Sequence, residues 1–272
     1  MKITVLIENL VYNQSLLGEH GLSFHILDGE TNILFDTGQT GNFLLNAKTL
    51  GIDIDKVKYT ILSHGHYDHT GGLKALLEKN TKIQLIAKKD IFQKKYSNST
   101  GSIREIGLDN KISEYNNIKY LEKDIVELEE NIFVITKINN YNDFENDEKK
   151  LFVRGNDEYI IDKFTDELFL VLKNSDNTLT IITGCAHNGI INILKTAKEY
   201  FPNNKIKQVI GGFHLKGKSN ERIDKTINEL IKLNVQGIYI NHCSGIEFFS
   251  ELKNRNSSIK VVYAYTGTKI IT

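Results

Sequence analysis

At 272 residues, the chain is long enough to bury a sizeable core. Its 34 basic and 34 acidic side chains cancel to a formal net charge of +0, which supplies no global attraction to nucleic acid or an anionic membrane. A composition of 40% hydrophobic and 25% charged residues excludes a disordered chain, and no apolar run approaches the ~18 residues of a membrane span.

Residues 2–8, 22–28 and 31–36 read as short strands separated by turn residues, an antiparallel opening. The apolar stretch at the start is too short for a signal peptide, so a cytoplasmic protein is expected. Phe43, Leu44, Ala47 and Leu50 recur at helical spacing within 41–50. Residues 57–63 make a buried strand, followed by a histidine-rich loop and a helix from about residue 72; 83–87 make another strand. Between about 88 and 160 the pattern weakens. Polar clusters at 97–101 and 139–142 interrupt short strands such as 132–136, and this variable middle reads as loops or a flap over a site. Within it, Lys88, Lys89, Lys94 and Lys95 read as a solvated helix face, or else as a basic stretch that attracts a phosphorylated substrate.

Regularity returns with apolar runs at 168–172 and 179–183, then a helix at 189–200 and a strand at 206–210. A helix at 221–233, a strand at 237–240, a helix at 245–253 and a strand at 260–265 complete the chain. Two halves that each end in strand–helix alternation suggest two sheets between helices, in a single domain over 1–272.

The chain has two cysteines, Cys185 and Cys243, and each lies close to a histidine, His187 or His242. That is a first hint of metal chemistry rather than of a disulfide framework. The densest chemistry lies in residues 63–72, SHGHYDHTGG, where three of the eight histidines and an aspartate fall within six residues. An i, i+2 histidine pair leaving a strand can converge on one ion, while Asp68 and His69 turn toward a neighbouring position. Imidazole and carboxylate donors of this kind suit zinc. There is no G-x-S-x-G elbow and no phosphate-binding glycine loop, so covalent serine catalysis has no support.

With Asp36-Thr37-Gly38 after a strand and the HxHxDH pattern at 64–69, the chain resembles the metallo-β-lactamase fold superfamily. The segments EHGLS (19–23), SHGHYDHTGGL (63–73), TGCAHNGIINI (183–193), GGFHL (211–215) and NHCSG (241–245) are similar to a narrower group. These are metal-dependent hydrolases related to dihydropterin–ribofuranosylaminobenzene phosphate synthases. The resemblance implies an α/β (α+β) fold, a four-layer αββα sandwich, with one or two metals at the sheet edges. It implies that His64 and His66 bind a first metal, and that Asp68, His69 and His242 bind a second. The superfamily's bridging aspartate after Thr-Gly is replaced here by Cys185. His187 as a further ligand, Cys185 in the bridging place and His214 as an extra ligand are the three solutions left open. Asp36 is expected to support the histidine loop without touching metal, or else to cap the helix from 41. His20 is a candidate for the substrate cleft, and His25 reads as structural.

Metal lowers the pKa of bound water toward ~7 and polarises a carbonyl or phosphoryl oxygen; Asp68 would orient the nucleophile and take its proton. The expected function is therefore a hydrolase using zinc, with manganese or iron as alternatives, on a small phosphate-bearing or ester-type molecule. The rivals are a transferase that condenses a dihydropterin diphosphate with a ribofuranosylaminobenzene phosphate, and a non-catalytic metal or ligand sensor. No nucleic-acid or membrane partner is expected, and the oligomeric state is open.

Overall fold

The computed structural model describes residues 1–155, 158–255 and 258–272. Its internal contacts divide into two units, the first made of Met1–Glu122, Glu148–Glu167 and Tyr265–Ile271. The second is made of Lys123–Asp147 and Leu168–Ala264, with Thr272.

In the first unit the opening strands are antiparallel, as their turn residues predict. Gly29, at φ +57°, turns Ser23–Asp28 back onto Thr31–Phe35, a backbone conformation that costs glycine little. Lys2–Ile7 lies between Ser23–Asp28 and the C-terminal strand Lys269–Ile271, and is buried at every position but its first. From Thr31–Phe35 onward the pairing is parallel, through Val57–Ile61, Gln84–Ala87 and Ile118–Tyr120. Parallel strands are covered on their faces by crossover helices. Here Asn42–Thr49 contributes Phe43 and Ala47 to the core, and Leu73–Lys79 contributes Leu73 and Leu76.

The stretch 88–160 differs from its reading as loops. Among the described residues it supplies four strands of a further sheet in this unit, in the order Tyr159–Ile161, Leu151–Arg154, Lys95–Ser97 and Arg104–Glu105. Several of its positions are exposed, including Arg104, Glu105, Tyr159, Ile160 and Ile161, so the alternation that marks a half-buried strand is missing. Lys95 is not on a solvated helix face either. It opens a strand and is fully buried.

The second unit repeats the change from antiparallel to parallel. Ile125–Glu129, Ile132–Ile135, Phe169–Lys173 and Leu179–Thr183 pair antiparallel; Ile206–Gly211, Gly237–Ile240 and Lys260–Tyr263 then follow in parallel. Ile190–Tyr200 buries Ile190, Ile191, Ile193, Leu194 and Ala197, a helical face against the core. Asn220–Lys232 is capped by Ser219, whose Oγ accepts the Arg222 N–H at 3.2 Å, and it buries Ile223, Ile227 and Leu230. Among the described residues no helix is long and apolar enough to cross a membrane.

In each unit, the loops that leave the C-terminal ends of adjacent parallel strands carry the polar residues singled out by the sequence. Open α/β sheets place ligand sites at such ends.

Candidate functional site

Asp36 follows the strand Thr31–Phe35, and Ser63 and His64 follow its parallel neighbour Val57–Ile61, so the register of the two strands brings them together. Asp36 is fully buried at φ +61°. Its Oδ1 accepts the Ser63 backbone N–H at 2.7 Å, and its Oδ2 accepts the Ser63 hydroxyl at 2.7 Å and His69 Nδ1 at 2.7 Å. Asp36 does not cap the helix from 42, which starts at Gly41 with no side-chain cap.

This network favours a proton on Nδ1 of both rings. Because its own proton goes to Asp36, Ser63 Oγ is left to accept from His64 Nδ1 at 2.8 Å. In the neutral rings, His64 Nε2 and His69 Nε2 are then the acceptor nitrogens. His64 Nε2 faces His66 Nδ1 at 3.0 Å, and His69 Nε2 lies 4.0 Å from Asp68 Oδ2. Two nitrogens bound at ~2.0–2.1 Å to one tetrahedral ion stand about 3.3 Å apart, so the first pair is already spaced for a shared cation. Three imidazoles and a carboxylate are also the donor types that zinc takes. The His64–His66 pair fits part of a divalent cation's donor set.

Burial, aided by the neighbouring His69 and His66, holds the His64 ring well below its ordinary 6.5 and so in the neutral form. His25, whose Nε2 meets Asn32 Oδ1 at 2.9 Å, is also lowered, mainly by burial. Both rings stay neutral in the folded chain, whereas an unfolded histidine takes a proton near 6.5. Stability of the chelated protein is thus expected to be complete above about pH 6.5. It should fall below that pH by at most about 1.4 kcal/mol per pH unit for each group. Urea unfolding between pH 7.5 and 5.5 reads this slope, which His25→Gln should make shallower; a slope equal to the parent's would contradict it.

The remaining residues of the first unit frame this set. His20 is half-exposed, with Nε2 3.2 Å from Asp68 Oδ2. Glu19 accepts from the backbone N–H groups of Gln39 and Thr40 at 2.9 and 3.0 Å and so ties the 19–23 segment to the Asp36-Thr37-Gly38 turn. The loop between His64 and His66 is fixed by a residue that the motif does not contain. Asp166 Oδ2 accepts the Gly65 N–H at 2.7 Å, and the buried Lys95 ammonium bonds Asp166 Oδ1 at 2.9 Å and Asp162 Oδ2 at 2.7 Å. A side chain on Gly65 would meet the Ile91 carbonyl, so the backbone must pass close there. A cavity of about 620 Å³ lies against Tyr67, Thr70, Gly71, Lys74, Lys111 and Asp109.

In the second unit, three loops leave the in-register strand ends Thr183, Gly211 and Ile240. They carry Cys185 and His187, His214, and His242 with Cys243. One donor atom from each of Cys185, His214 and Cys243 lies within 4.8 Å of the others, and the His187 and His214 rings are 4.3 Å apart. The His214 backbone N–H donates to Cys243 Sγ at 3.3 Å. Burial raises the Cys243 thiol, but hydrogen bonds with Cys185 and His214 and the neighbouring His242 and His214 outweigh it, placing the thiol well below its ordinary 9.0. Ala186, His214 and His242 have φ of +56°, +48° and +50°, conformations that side chains avoid unless the surroundings impose them. Glu145, buried and outside every motif, accepts the N–H groups of Ile191 and Asn192 at 3.1 and 2.9 Å and so anchors the helix after His187. Cys243 is a donor that no expected ligand set contains; its position beside His242 is the signal that could single it out.

The sequence profile of the metallo-beta-lactamase superfamily matches residues 18–148. The chain is 34% identical to the 7,8-dihydropterin-6-methyl-4-(beta-D-ribofuranosyl)-aminobenzene-5'-phosphate synthase of Methanocaldococcus jannaschii, over 93% of this chain and 92% of the relative. It is 32% identical to an uncharacterized protein of the same organism, over 99% of each. Among solved structures, Tm1679, described as a metal-dependent hydrolase of the beta-lactamase superfamily, matches with a TM-score of 0.86 at 34% identity, covering 100% of this chain and 99% of the other.

Proposed function

Because the chain belongs to the metallo-beta-lactamase superfamily, we propose that it is a divalent-cation-dependent hydrolase of a small phosphate-bearing or ester-type substrate. The observation that carries this reading is the Asp36–Ser63–His64/His69 network, which orients two buried imidazoles and sets His64 Nε2 3.0 Å from His66 Nδ1. His64, His66, Asp68 and His69 are the first unit's proposed ligands. His187 and His242, with Cys185 and His214, are the second unit's candidates by motif. Zinc suits these donors, with manganese and iron as alternatives. A bound divalent ion supplies a Lewis acid for a phosphoryl or carbonyl oxygen and makes water acidic near neutral pH.

The chain's own residues do the rest. Asp36 keeps the His64 and His69 rings in one tautomer and orientation. Asp68 Oδ2 accepts the proton of the attacking water, and half-exposed His20, 3.2 Å from it, passes that proton on or contacts substrate. The cavity beside Tyr67 has room for a small molecule, and its Lys74 and Lys111 suit a phosphate, next to the carboxylate of Asp109.

Chelated and zinc-reconstituted protein should be compared on bis(p-nitrophenyl) phosphate, p-nitrophenyl phosphate and p-nitrophenyl acetate. Turnover of at least one ester is expected, lost on chelation, restored by metal and absent from His66→Ala. Full activity of His66→Ala after exhaustive chelation would end the reading.

A second reading, a transferase, is favoured by the 34% identity to a synthase. A transferase would join a dihydropterin diphosphate to a ribofuranosylaminobenzene phosphate only when both are present. A hydrolase needs no acceptor, so product analysis with and without the second substrate separates the two.

A further inference from the structure

We infer that Cys185, His214 and Cys243 form a thiolate-bearing cation site, built from the second unit's residues alone, for a thiophilic divalent ion of the zinc type. The inference shares Cys185 and His214 with the hydrolase reading's second-unit candidates and adds Cys243, but it concerns binding and requires no turnover.

The topology brings the three side chains together. Cys185 lies two residues beyond Thr183, His214 three beyond Gly211 and Cys243 three beyond Ile240, and these strand ends are in register in parallel neighbours. One donor atom from each residue falls within 4.8 Å of the others. Bond lengths of ~2.3 Å to sulfur and ~2.0–2.1 Å to nitrogen place donors of one tetrahedral ion about 3.5–3.8 Å apart, inside that envelope. Two sulfurs select zinc-type ions over magnesium, calcium or manganese, which prefer oxygen.

The backbone is arranged around the Cys243 sulfur. A side chain on Gly212 would stand 2.6 Å from Cys243 Sγ, so only glycine lets the thiol occupy its place. The His214 N–H donates to the same sulfur at 3.3 Å, and Cys243 Sγ approaches the Cys185 carbonyl at 3.6 Å. Gly212, which with Gly211 matches no phosphate-loop spacing, thereby gains a structural reason. At the same sheet end the Asn241 side chain is fully buried, and neither of its polar atoms has a hydrogen-bond partner among the described residues. A buried amide of this kind needs a polar group beside it.

The test is cobalt titration of the reduced full-length protein, read by thiolate-to-cobalt charge-transfer absorption in the near ultraviolet. The parent should show this absorption, Cys243→Ser and Cys185→Ser should each reduce it to about half, and the double variant should abolish it. Absorption absent from the parent, or unchanged in Cys243→Ser, would overturn the inference. The second outcome would assign a single thiolate, Cys185, to the superfamily's own metal position. As a check that needs no variant, zinc should protect both thiols of the parent from N-ethylmaleimide, counted by mass spectrometry; Cys243 alkylated as fast with zinc as without it would also overturn the inference. None of these readouts depends on hydrolysis.

Discussion

The Asp36→Ala protein is expected to bind zinc about 10- to 100-fold more weakly than its parent, the usual cost of losing a group that orients imidazole ligands. Asp36 touches no proposed substrate or ion, so a purely structural residue would give a different result: lower stability with unchanged affinity. The loss follows from the proton accounting. Without the carboxylate, His69 Nδ1 has no acceptor there, and the Ser63 hydroxyl is free to donate to His64 and turn its proton to Nε2. Asp36→Asn should fare little better. Its amide has one oxygen for the three donors that the carboxylate now accepts, from Ser63 N–H, Ser63 Oγ–H and His69 Nδ1. Competition against a chromophoric zinc chelator measures the affinity, with thermal unfolding as a control. Parent-like affinity in folded Asp36→Ala would show that these tautomers are set by something else.

The largest effect on stability is expected from Lys95→Met. The ammonium is fully buried between Asp162 and Asp166, and removing it leaves two buried carboxylates facing each other. Stranding buried charge in this way costs about 3–5 kcal/mol. Burial already raises Asp166 above its ordinary range, against the pull of Lys95. Without the lysine, a carboxylate of the folded variant would rise further, above its unfolded value. Protonation then favours the folded form, so the deficit should shrink as pH falls toward 5. Urea unfolding of parent and variant at pH 7.5 and 5 tests both the size and the sign. A deficit below about 1 kcal/mol, or one that grows in acid, would contradict the account. Lys95→Met/Asp162→Asn/Asp166→Asn, which removes charge on both sides, should recover part of the loss. Because Asp166 also holds the Gly65 N–H, this triple variant tells whether a neutral acceptor still positions the histidine loop.

Much of this architecture is written locally. The strand–loop–helix run carrying His64, His66, Asp68 and His69 is visible because its ligand types lie within six residues. The helices Ile190–Tyr200 and Asn220–Lys232 begin within a residue of the expected 189–200 and 221–233. The Asp36 turn could be singled out, but its partners Ser63 and His69 lie 27 and 33 residues further on, and only the parallel pairing of two strands specifies them.

Lys95 could not be read in this way. A lysine among lysines is ordinarily solvated, and nothing local reports that carboxylates 67 and 71 residues away will bury it. The sheet within 88–160 escaped for the opposite reason: its exposed strands carry no hydrophobic alternation. The Cys185–His214–Cys243 cluster depends on three loops that become neighbours only when strands 179–183, 206–211 and 237–240 are ordered in parallel. The proximity of each cysteine to a histidine hinted at metal chemistry, but the grouping is a property of the sheet.

On the proposed function, a cation held with the 64–69 histidine set drives hydrolysis. This is tested most directly by elemental analysis of protein purified without added metal, paired with turnover of bis(p-nitrophenyl) phosphate, for the parent and His64→Ala/His66→Ala. At least one zinc, manganese or iron ion is expected per parent chain, with ion content and turnover falling together in the folded double variant. A parent that carries no metal yet turns over the ester, or a double variant that keeps full turnover, would contradict it.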